Sequence, residues 1–387
     1  MIPYGRQNIT QQDIEKVVEV LKSDFITQGP LVPLFEQSVL DSVNANYACA
    51  TNSATSALHL ACLSLNLQKK DILWTSPISF VASSNCGLYC GADVDFVDIN
   101  PDTYNICVDK LEKKLKKAKI INRLPKILVA VHLAGQSCEM DSLQNLSLKY
   151  NFKIIEDASH ALGGMYKSEP IGCCKYSDIT VFSFHPVKII TTGEGGMALT
   201  NNKDLGLKLK LLRSHGITRN PEIMEKNDGP WYYEQMDLGY NYRMNDIQAA
   251  LGISQIKRLH EFIERRKNIA EQYNFELRGL PIKLPQIHSD NISSYHLYII
   301  RLKNNKVKAK QKEIFEALRG YGLGVNLHYI PIYRQPFYKK YNYNLLNFPE
   351  SEKYYSEAIS IPIFPSMTKN QQKEVVEVLS KVLNKWN

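Results

Sequence analysis

The sequence of 387 residues lacks an apolar run that would cross a membrane, because no segment offers about 18 uninterrupted apolar residues. The start of the chain also lacks the short apolar core that follows a basic patch in a secretory signal. Together these absences predict a cytoplasmic protein without a membrane partner.

Paired cysteines are lacking as well. The eight cysteines are scattered over the first half of the chain, and no two of them form a C-x-x-C motif. Without that spacing and without a secretory signal, neither a disulfide framework nor a zinc site is expected. The thiols are interpreted as free, mostly buried side chains, and no metal site is predicted.

Blocks of like charge are also missing. Lys and Arg exceed Asp and Glu by 47 to 39, which gives a net charge of +8, but the two signs are mixed along most of the chain. Nucleic acid binding requires a basic stripe and steeply salt-dependent affinity, so we expect small anionic ligands and no nucleic acid. The 44% apolar and 22% charged fractions are typical of a globular protein.

Short apolar runs alternate with helical patterns between about residue 45 and residue 200. The runs are DILWTSPISF, VDFVDI, KILVAVHLAG, FKIIEDAS, DITVFSFH and GMALT. Strands separated by helix-length segments predict an α/β fold with a mostly parallel central sheet flanked by helices. Ligands of such sheets bind at the carboxyl ends of the strands.

A smaller unit is predicted after this sheet. Residues 245–278 contain no proline and carry apolar residues at helical spacing, which predicts one long helix that acts as a hinge. Beyond it, SYHLYIIRL, KQKEIFEALRGYG and an amphipathic C-terminal helix predict a small α+β domain. We expect a large domain over residues 1–256 and a small domain over residues 257–387.

Residues 181–196, VFSFHPVKIITTGEGG, place a single lysine between a buried apolar strand and a glycine-rich loop. A lysine that acts as a Schiff-base nucleophile must be desolvated or near other cations, so that its amine is neutral at pH 7. A solvated loop lysine needs no such surroundings. Lys188 is therefore predicted to be a nucleophile.

Three further features are predicted to gather with this lysine. Ser53 precedes an apolar helical run, and a helix N-terminus binds phosphate through free amides. Asp157 and His160 follow an apolar strand, and Phe80 lies in a strand-to-helix loop. Each feature alone has an ordinary explanation as a cap, a core histidine or a core aromatic side chain. Together, a phosphate cradle, a carboxylate, an aromatic face and a lysine predict pyridoxal 5'-phosphate (PLP) as the cofactor.

The motifs resemble those of the DegT/DnrJ/EryC1/StrS family of PLP-dependent nucleotide-sugar aminotransferases, which have the type I aminotransferase fold. The resemblance covers essentially the whole chain and rests on NSATSALH, SPISFVAS, EDASHALG, FSFHPVKIITTGEGG, RSHG, GYNYRMNDIQAALG and HYIPIY. Within the family the chain is similar to the enzymes of pseudaminic acid biosynthesis. This similarity implies amino transfer from L-glutamate to C4 of a UDP-4-keto-6-deoxy-N-acetylhexosamine. Another sugar, a dTDP or GDP carrier, and a non-catalytic binder of PLP or sugar nucleotides are the alternatives.

The resemblance implies roles for individual residues. Lys188 is expected to hold PLP and to shuttle protons, Asp157 to pair with the pyridine nitrogen, and His160 to lie by the ring oxygen. The other implied cofactor residues are Ser53, Ala54, Thr55, Phe80, Ser183 and, from the second subunit of a homodimer, Asn241. The implied sugar-nucleotide residues are Tyr4, Thr27, Gln28, Gly29, His185, Arg243, His328 and Tyr329.

Two features refine these expectations. One relative in the family has histidine at the lysine position and dehydrates the sugar at its 3-position, so Lys188 favours amino transfer. Residues 220–237, NPEIMEKNDGPWYYEQMD, are not explained by the resemblance. They are hypothesised to shape the entrance to the site near the dimer interface.

Overall fold

The computed structural model describes residues 1–385. Its helices are α1 (Gln11–Leu21), α2 (Leu31–Val43), α3 (Ala54–Ser64), α4 (Ala82–Tyr89), α5 (Val108–Ile120), α6 (Met140–Tyr150), α7 (Lys203–Arg213), α8 (Asp246–Ile256), α9 (Leu259–Glu276), α10 (Asn305–Lys308), α11 (Gln311–Gly320), α12 (Pro349–Tyr355) and α13 (Lys369–Asn384). Its strands are β1 (Ile2–Pro3), β2 (Tyr47–Thr51), β3 (Ile72–Thr75), β4 (Asp93–Phe96), β5 (Ile127–Val131), β6 (Lys153–Asp157), β7 (Met165–Tyr166), β8 (Glu169–Pro170), β9 (Ile179–Ser183), β10 (Gly196–Thr200), β11 (Ile217–Thr218), β12 (Glu234–Gln235), β13 (Ile282–Lys283), β14 (Asn291–Ile292), β15 (Tyr298–Leu302), β16 (Leu323–Gly324) and β17 (Ala358–Ile361).

A seven-stranded sheet forms the centre of the fold, in the order β2-β10-β9-β6-β5-β3-β4. The five strands from β9 to β4 are parallel to one another, and β10 runs antiparallel to both β9 and β2. Strand β5 is buried along its whole length, as expected of a strand covered by helices on both faces. The predicted α/β fold with a mostly parallel sheet is confirmed.

The parallel strands bring the carboxyl ends of distant chain segments to one edge of the sheet. Strands β3, β5, β6 and β9 end there at Thr75, Val131, Asp157 and Ser183. Because these ends are neighbours in the sheet, the loops that follow them converge. This convergence positions the candidate site.

The C-terminal part of the chain builds a separate antiparallel sheet of β13, β15 and β17. One apolar cluster joins this sheet to α9, α11 and α13. The first turns of α9 belong to a different cluster, in which Phe262 and Ile263 pack with residues of the large sheet. The division into residues 1–256 and 257–387 stays a prediction.

The prediction of a single long helix over residues 245–278 is wrong. The segment forms two helices, α8 and α9, which are separated at Lys257 and Arg258. Arg258 donates to Asn8 Oδ1 at 2.9 Å and to Asp13 Oδ2 at 2.6 Å. The break coincides with these bonds to the N-terminal segment, which the local helical pattern does not reveal.

Membrane spans and disulfides are both expected to be absent. None of the helices within residues 1–385 is long and apolar enough to cross a membrane. All eight cysteines are free, and five of them are buried, as the scattered positions predicted.

Candidate active site

A cavity of about 930 Å³ opens at the carboxyl edge of the large sheet. It brings together most of the residues that the sequence singled out. Those that line it are Tyr4, Ser53, Ala54, Thr55, Phe80, Asp157, His160, Ser183, His185, Lys188, His328 and Tyr329. Segments that are far apart in the sequence therefore share one space.

Lys188 lies in the loop that connects β9 to β10. Backbone hydrogen bonds join the two ends of this loop: Phe184 bonds to Thr192 and to Gly195. No hydrogen bond or ion pair within residues 1–385 engages the Lys188 Nζ, which faces the cavity. Burial lowers the pKa of this amine to about 8, although Asp157 acts in the opposite direction. About a tenth of Lys188 is consequently neutral, and so nucleophilic, at pH 7.

Asp157, the last residue of β6, is a buried carboxylate held in one orientation. Its Oδ2 accepts a hydrogen bond from Ser83 Oγ at 2.6 Å, and its Oδ1 accepts one from Ser159 Oγ at 2.6 Å. Ser79 in turn lies 2.6 Å from the Ser83 hydroxyl. These bonds fix the orientation of the carboxylate, which suits pairing with a ring nitrogen.

The N-terminus of α3 forms an anion-binding corner of the cavity. Ser53 is the N-cap and accepts the amide of Ser56 at 3.1 Å. Within residues 1–385, the amides of Ala54 and Thr55 have no hydrogen-bond acceptor. A Cβ on Gly196 would lie 2.4 Å from the Ala54 nitrogen, so only glycine allows β10 to approach the start of α3 this closely. Free amides at a helix start are suited to a phosphate group.

His160 is neutral and has one tautomer. The amide of Ala134 donates to its Nδ1 at 3.2 Å, so this nitrogen carries no proton. The proton therefore lies on Nε2, which donates to the Tyr329 hydroxyl at 3.1 Å. Burial and the nearby Lys188 hold the pKa of His160 well below its usual range. His160 and Tyr329 thus form an uncharged hydrogen-bonded pair at the cavity.

His328 is also neutral. Asn326 Nδ2 donates to its Nε2 at 3.3 Å, which leaves the proton on Nδ1 to be donated to Ser360 Oγ at 2.9 Å. Burial lowers the pKa of His328 to about 3. Its ring packs against Tyr4, with ring centroids 5.0 Å apart. This wall of the cavity therefore offers polar groups without charge.

Phe80 is 58% exposed and lines the cavity, so it is not a core residue. Its ring centroid lies 6.1 Å from that of Tyr329. An aromatic face that is left open beside a lysine and a carboxylate is available for a flat ring to stack on. His185 lies at the same mouth. Its ring is only partly buried, and this partial burial together with Lys188 lowers its pKa.

Five predicted residues do not line the cavity of their own chain: Thr27, Gln28, Gly29, Asn241 and Arg243. Thr27 and Gln28 are exposed, and the amide of Gly29 donates to the buried Asp246 carboxylate at 2.9 Å. Asn241 is exposed and Arg243 is half-buried on the segment beside β2. Their predicted roles require a second chain or a rearranged loop.

Sequence reasoning missed several residues of the site. Ser83 and Ser159 fix the Asp157 carboxylate, and Asn326 fixes the His328 tautomer. Gln248 also lines the cavity. The serines lie within motifs already singled out, SPISFVAS and EDASHALG, but nothing in the sequence indicates which hydroxyl reaches the carboxylate.

The donor set fits PLP. The cavity offers an amine to bind the aldehyde, a carboxylate for the ring nitrogen, an aromatic face and free amides for the phosphate. Within residues 1–385, no group of three or more His, Cys, Asp or Glu residues is arranged to hold a metal ion.

Comparison with known proteins places this arrangement in context. The sequence model described as the DegT/DnrJ/EryC1/StrS aminotransferase family matches residues 7–380. The chain is 41% identical to the UDP-4-amino-4,6-dideoxy-N-acetyl-beta-L-altrosamine transaminase of Campylobacter jejuni subsp. jejuni serotype O:2, over 100% of this chain and 98% of that protein.

Solved structures show the same fold. PseC of Helicobacter pylori, an aminotransferase involved in the biosynthesis of pseudoaminic acid, superposes with a TM-score of 0.90 and 32% identity, covering 99% of both chains. The Streptococcus pneumoniae protein Spr1654 in its PLP form superposes with a TM-score of 0.89 and 27% identity, covering 100% of this chain and 99% of that one.

Proposed function

The chain belongs to the DegT/DnrJ/EryC1/StrS aminotransferase family, and we propose that it transfers an amino group from L-glutamate to C4 of a UDP-4-keto-6-deoxy-N-acetylhexosamine. Like its family, it is a PLP-dependent sugar aminotransferase. The sugar is supported by the name of the Campylobacter relative, which specifies a UDP-linked 4-amino-4,6-dideoxy sugar. The likeness to PseC of Helicobacter pylori supports a place in the same pathway, pseudaminic acid biosynthesis.

One observation carries the chemistry: the Lys188 amine, with a pKa of about 8, faces the same cavity as Asp157 and the free amides of α3. PLP, when bound, supplies an aldehyde that accepts an amino group and a ring that withdraws electrons from the reacting carbon. Lys188 would hold the cofactor through its Nζ and would donate and accept the proton that the transfer moves. Asp157 would pair with the ring nitrogen, because two hydroxyls fix its carboxylate in one orientation.

The neutral side chains of the cavity support the same transfer. Tyr329 and His160 place an uncharged donor near the position expected for the ring oxygen. Phe80 presents its face to the cavity, and His185 and His328 lie where a sugar would approach Lys188. The roles of Ser53, Ala54, Thr55, Ser183 and Tyr4 as phosphate or sugar ligands remain proposals that their position at the cavity supports.

A panel of sugar nucleotides tests the substrate. The purified protein is incubated with PLP, L-glutamate and 4-keto sugar nucleotides, including the L-arabino 4-keto UDP-sugar and its D-xylo epimer. Mass spectrometry of the sugar product is expected to show amination of the L-arabino compound in clear preference. Reaction with the epimer or with a dTDP or GDP sugar alone contradicts the proposed sugar but not the reaction. Absence of any aminated product favours a non-catalytic binder.

We also propose a homodimer with shared sites. Asn241 and Gln28 are exposed and lie outside the cavity of their own chain, although both are implied to contact its ligands. Exposed apolar side chains flank them, among them Phe25, Ile26 and Leu238. Such side chains are suited to burial against a second copy. The cytoplasmic location and the role of residues 220–237 stay predictions.

Complementation between two inactive variants tests the shared site. A dimer of one Lys188→Ala chain and one Asn241→Ala chain retains one site in which both residues are intact. Mixing the two variants under exchange conditions is expected to restore about a quarter of the wild-type activity, because about half of the dimers are mixed. No recovery, with chain exchange verified by mass spectrometry, contradicts the role of Asn241 in the partner's site.

A further inference from the structure

Residues 293–297 contact His160 and also Ala134, whose amide donates to the His160 ring. Ser294 Oγ donates to the carbonyl oxygen of His160 at 2.7 Å. The amide of Leu297 donates to the carbonyl oxygen of Ala134, whose own amide fixes the His160 Nδ1. The ring of His296 packs on the ring of His160, with centroids 4.3 Å apart. The segment therefore contacts both the backbone and the ring of His160.

Arg266, in α9, holds this segment in place. Its Nη1 donates to the carbonyl oxygens of Tyr295 and His296 at 3.2 and 3.3 Å, and to that of Ile363 at 3.1 Å. The guanidinium is fully buried, and no carboxylate within residues 1–385 forms an ion pair with it. Burial lowers the pKa of Arg266 to about 9, so the group is still a cation at pH 7.

A buried cation without a carboxylate is costly, and the hydrogen bonds of Arg266 within residues 1–385 all go to carbonyl oxygens, two of them in residues 293–297. His296 is equally unusual, because its buried Nδ1 has no hydrogen-bond partner within residues 1–385. Burial and the adjacent His160 hold the pKa of His296 well below its usual range, so the ring is neutral.

The charged and titratable groups around His160 come from several elements. Asp157 lies on the same segment, Lys188 in the loop after β9, and His328 and Tyr329 in the segment that follows β16. His296 lies in residues 293–297, and Arg266, in α9, bonds to that segment. Burial, to which residues 293–297 contribute, and the nearby Lys188 both lower the pKa of His160, whereas Arg266 lowers the pKa of His296.

We propose that Arg266 and His296 are positioning residues that act through His160, which they keep neutral with its proton on Nε2. The inference rests on the proposed function, in which His160 lies by the ring oxygen of PLP. The neutral Nε2–H donates to the Tyr329 hydroxyl, which is then free to donate its own proton toward that oxygen without adding a cation beside Lys188. The protonation state of the site is thereby set by residues of α9 and of residues 293–297.

Histidine NMR of the PLP-loaded protein without sugar substrate tests the proposal. The protein contains nine histidines, so ring-labelled protein gives few resonances, and His160→Gln assigns the one of interest. In the wild type, the His160 resonance is expected not to titrate between about pH 5.5 and pH 8.5. In Arg266→Met, loss of the bonds that hold residues 293–297 beside His160 is expected to admit water and to raise the His160 midpoint to within about one unit of 6.5.

Two matched variants distinguish this role from a general loss of folded structure. Arg265→Met removes a neighbouring guanidinium whose hydrogen bonds within residues 1–385 go to the carbonyls of Pro365 and Met367, and it is expected to leave His160 unchanged. Arg266→Lys keeps the cation and is expected to restore the wild-type behaviour. If Arg266→Met does not fold, His296→Ala decides the matter, because it opens a space for water beside the His160 ring and is expected to raise the same midpoint.

A folded Arg266→Met or His296→Ala protein with the wild-type His160 titration overturns the proposal, and so does a wild-type His160 that titrates near pH 6.5. The measurement needs no sugar substrate. A shifted His160 midpoint in a protein that aminates no sugar therefore supports this inference while it contradicts the proposed function.

Discussion

Gly196 passes so close to Ala54 that a Cβ on Gly196 would lie 2.4 Å from the Ala54 nitrogen. The contact joins the first residue of β10 to the first residue of α3, whose free amides form the anion-binding corner. Both groups at the contact belong to the backbone, so no side-chain rotation relieves a clash there. The anion-binding corner therefore depends on Gly196, although this residue does not itself line the cavity.

Gly196→Ala is expected to displace the start of α3 and to weaken PLP binding at least tenfold. Overpacking of this kind also lowers the free energy of unfolding by about 1–3 kcal/mol. Equilibrium dialysis with PLP and thermal unfolding measure the two effects. Gly320→Ala is the matched control, because a Cβ there meets nothing within 4 Å. Wild-type PLP affinity in Gly196→Ala contradicts the placement of the phosphate at this corner.

Lys188→Ala is expected to abolish turnover while PLP still binds non-covalently. The remaining contacts of the cavity, the α3 amides and Asp157, do not depend on the lysine. Borohydride reduction followed by peptide mass spectrometry should find PLP attached to residue 188 in the wild type and to no residue in the variant. Retained transamination by Lys188→Ala is incompatible with the assigned role.

The rate at which the PLP-free protein captures PLP covalently is expected to depend on pH with a midpoint near 8. Burial lowers the pKa of the Lys188 amine to about 8, and only the neutral amine attacks an aldehyde. The rate should fall about tenfold for each pH unit below 8 and level off above it. A lysine peptide, with its midpoint near 10.4, provides the control for the titration of PLP itself. A midpoint near 10.4 in the protein contradicts a desolvated Lys188.

Asp157→Ala is expected to lower kcat at least 100-fold, because the ring nitrogen loses the anion that keeps it protonated. Asp157→Glu keeps the charge and is expected to be partly tolerated. Steady-state kinetics with saturating L-glutamate compare the two variants. Ser159→Ala removes only one hydroxyl bond to the carboxylate, at 2.6 Å, and should lower kcat far less. Wild-type turnover in Asp157→Ala excludes the ring-nitrogen role.

The helix over residues 245–278 shows where local pattern fails. Its apolar spacing continues through Lys257 and Arg258, yet the structure breaks there, where Arg258 bonds to Asn8 and Asp13. These partners lie about 250 positions away in the chain. A helical pattern reports which face of a segment is apolar, and it contains no information on a partner so distant.

The sequence by itself determined the fold class and the chemistry of the site, because apolar strands that end at Asp157 and Ser183 must meet at one edge of a parallel sheet. Only the tertiary structure decided the protonation states. The tautomer of His160 depends on Ala134, and the packing of its ring depends on His296, 136 positions further along the chain. Proton positions follow from hydrogen bonds and burial, and these exist only after distant segments have packed together.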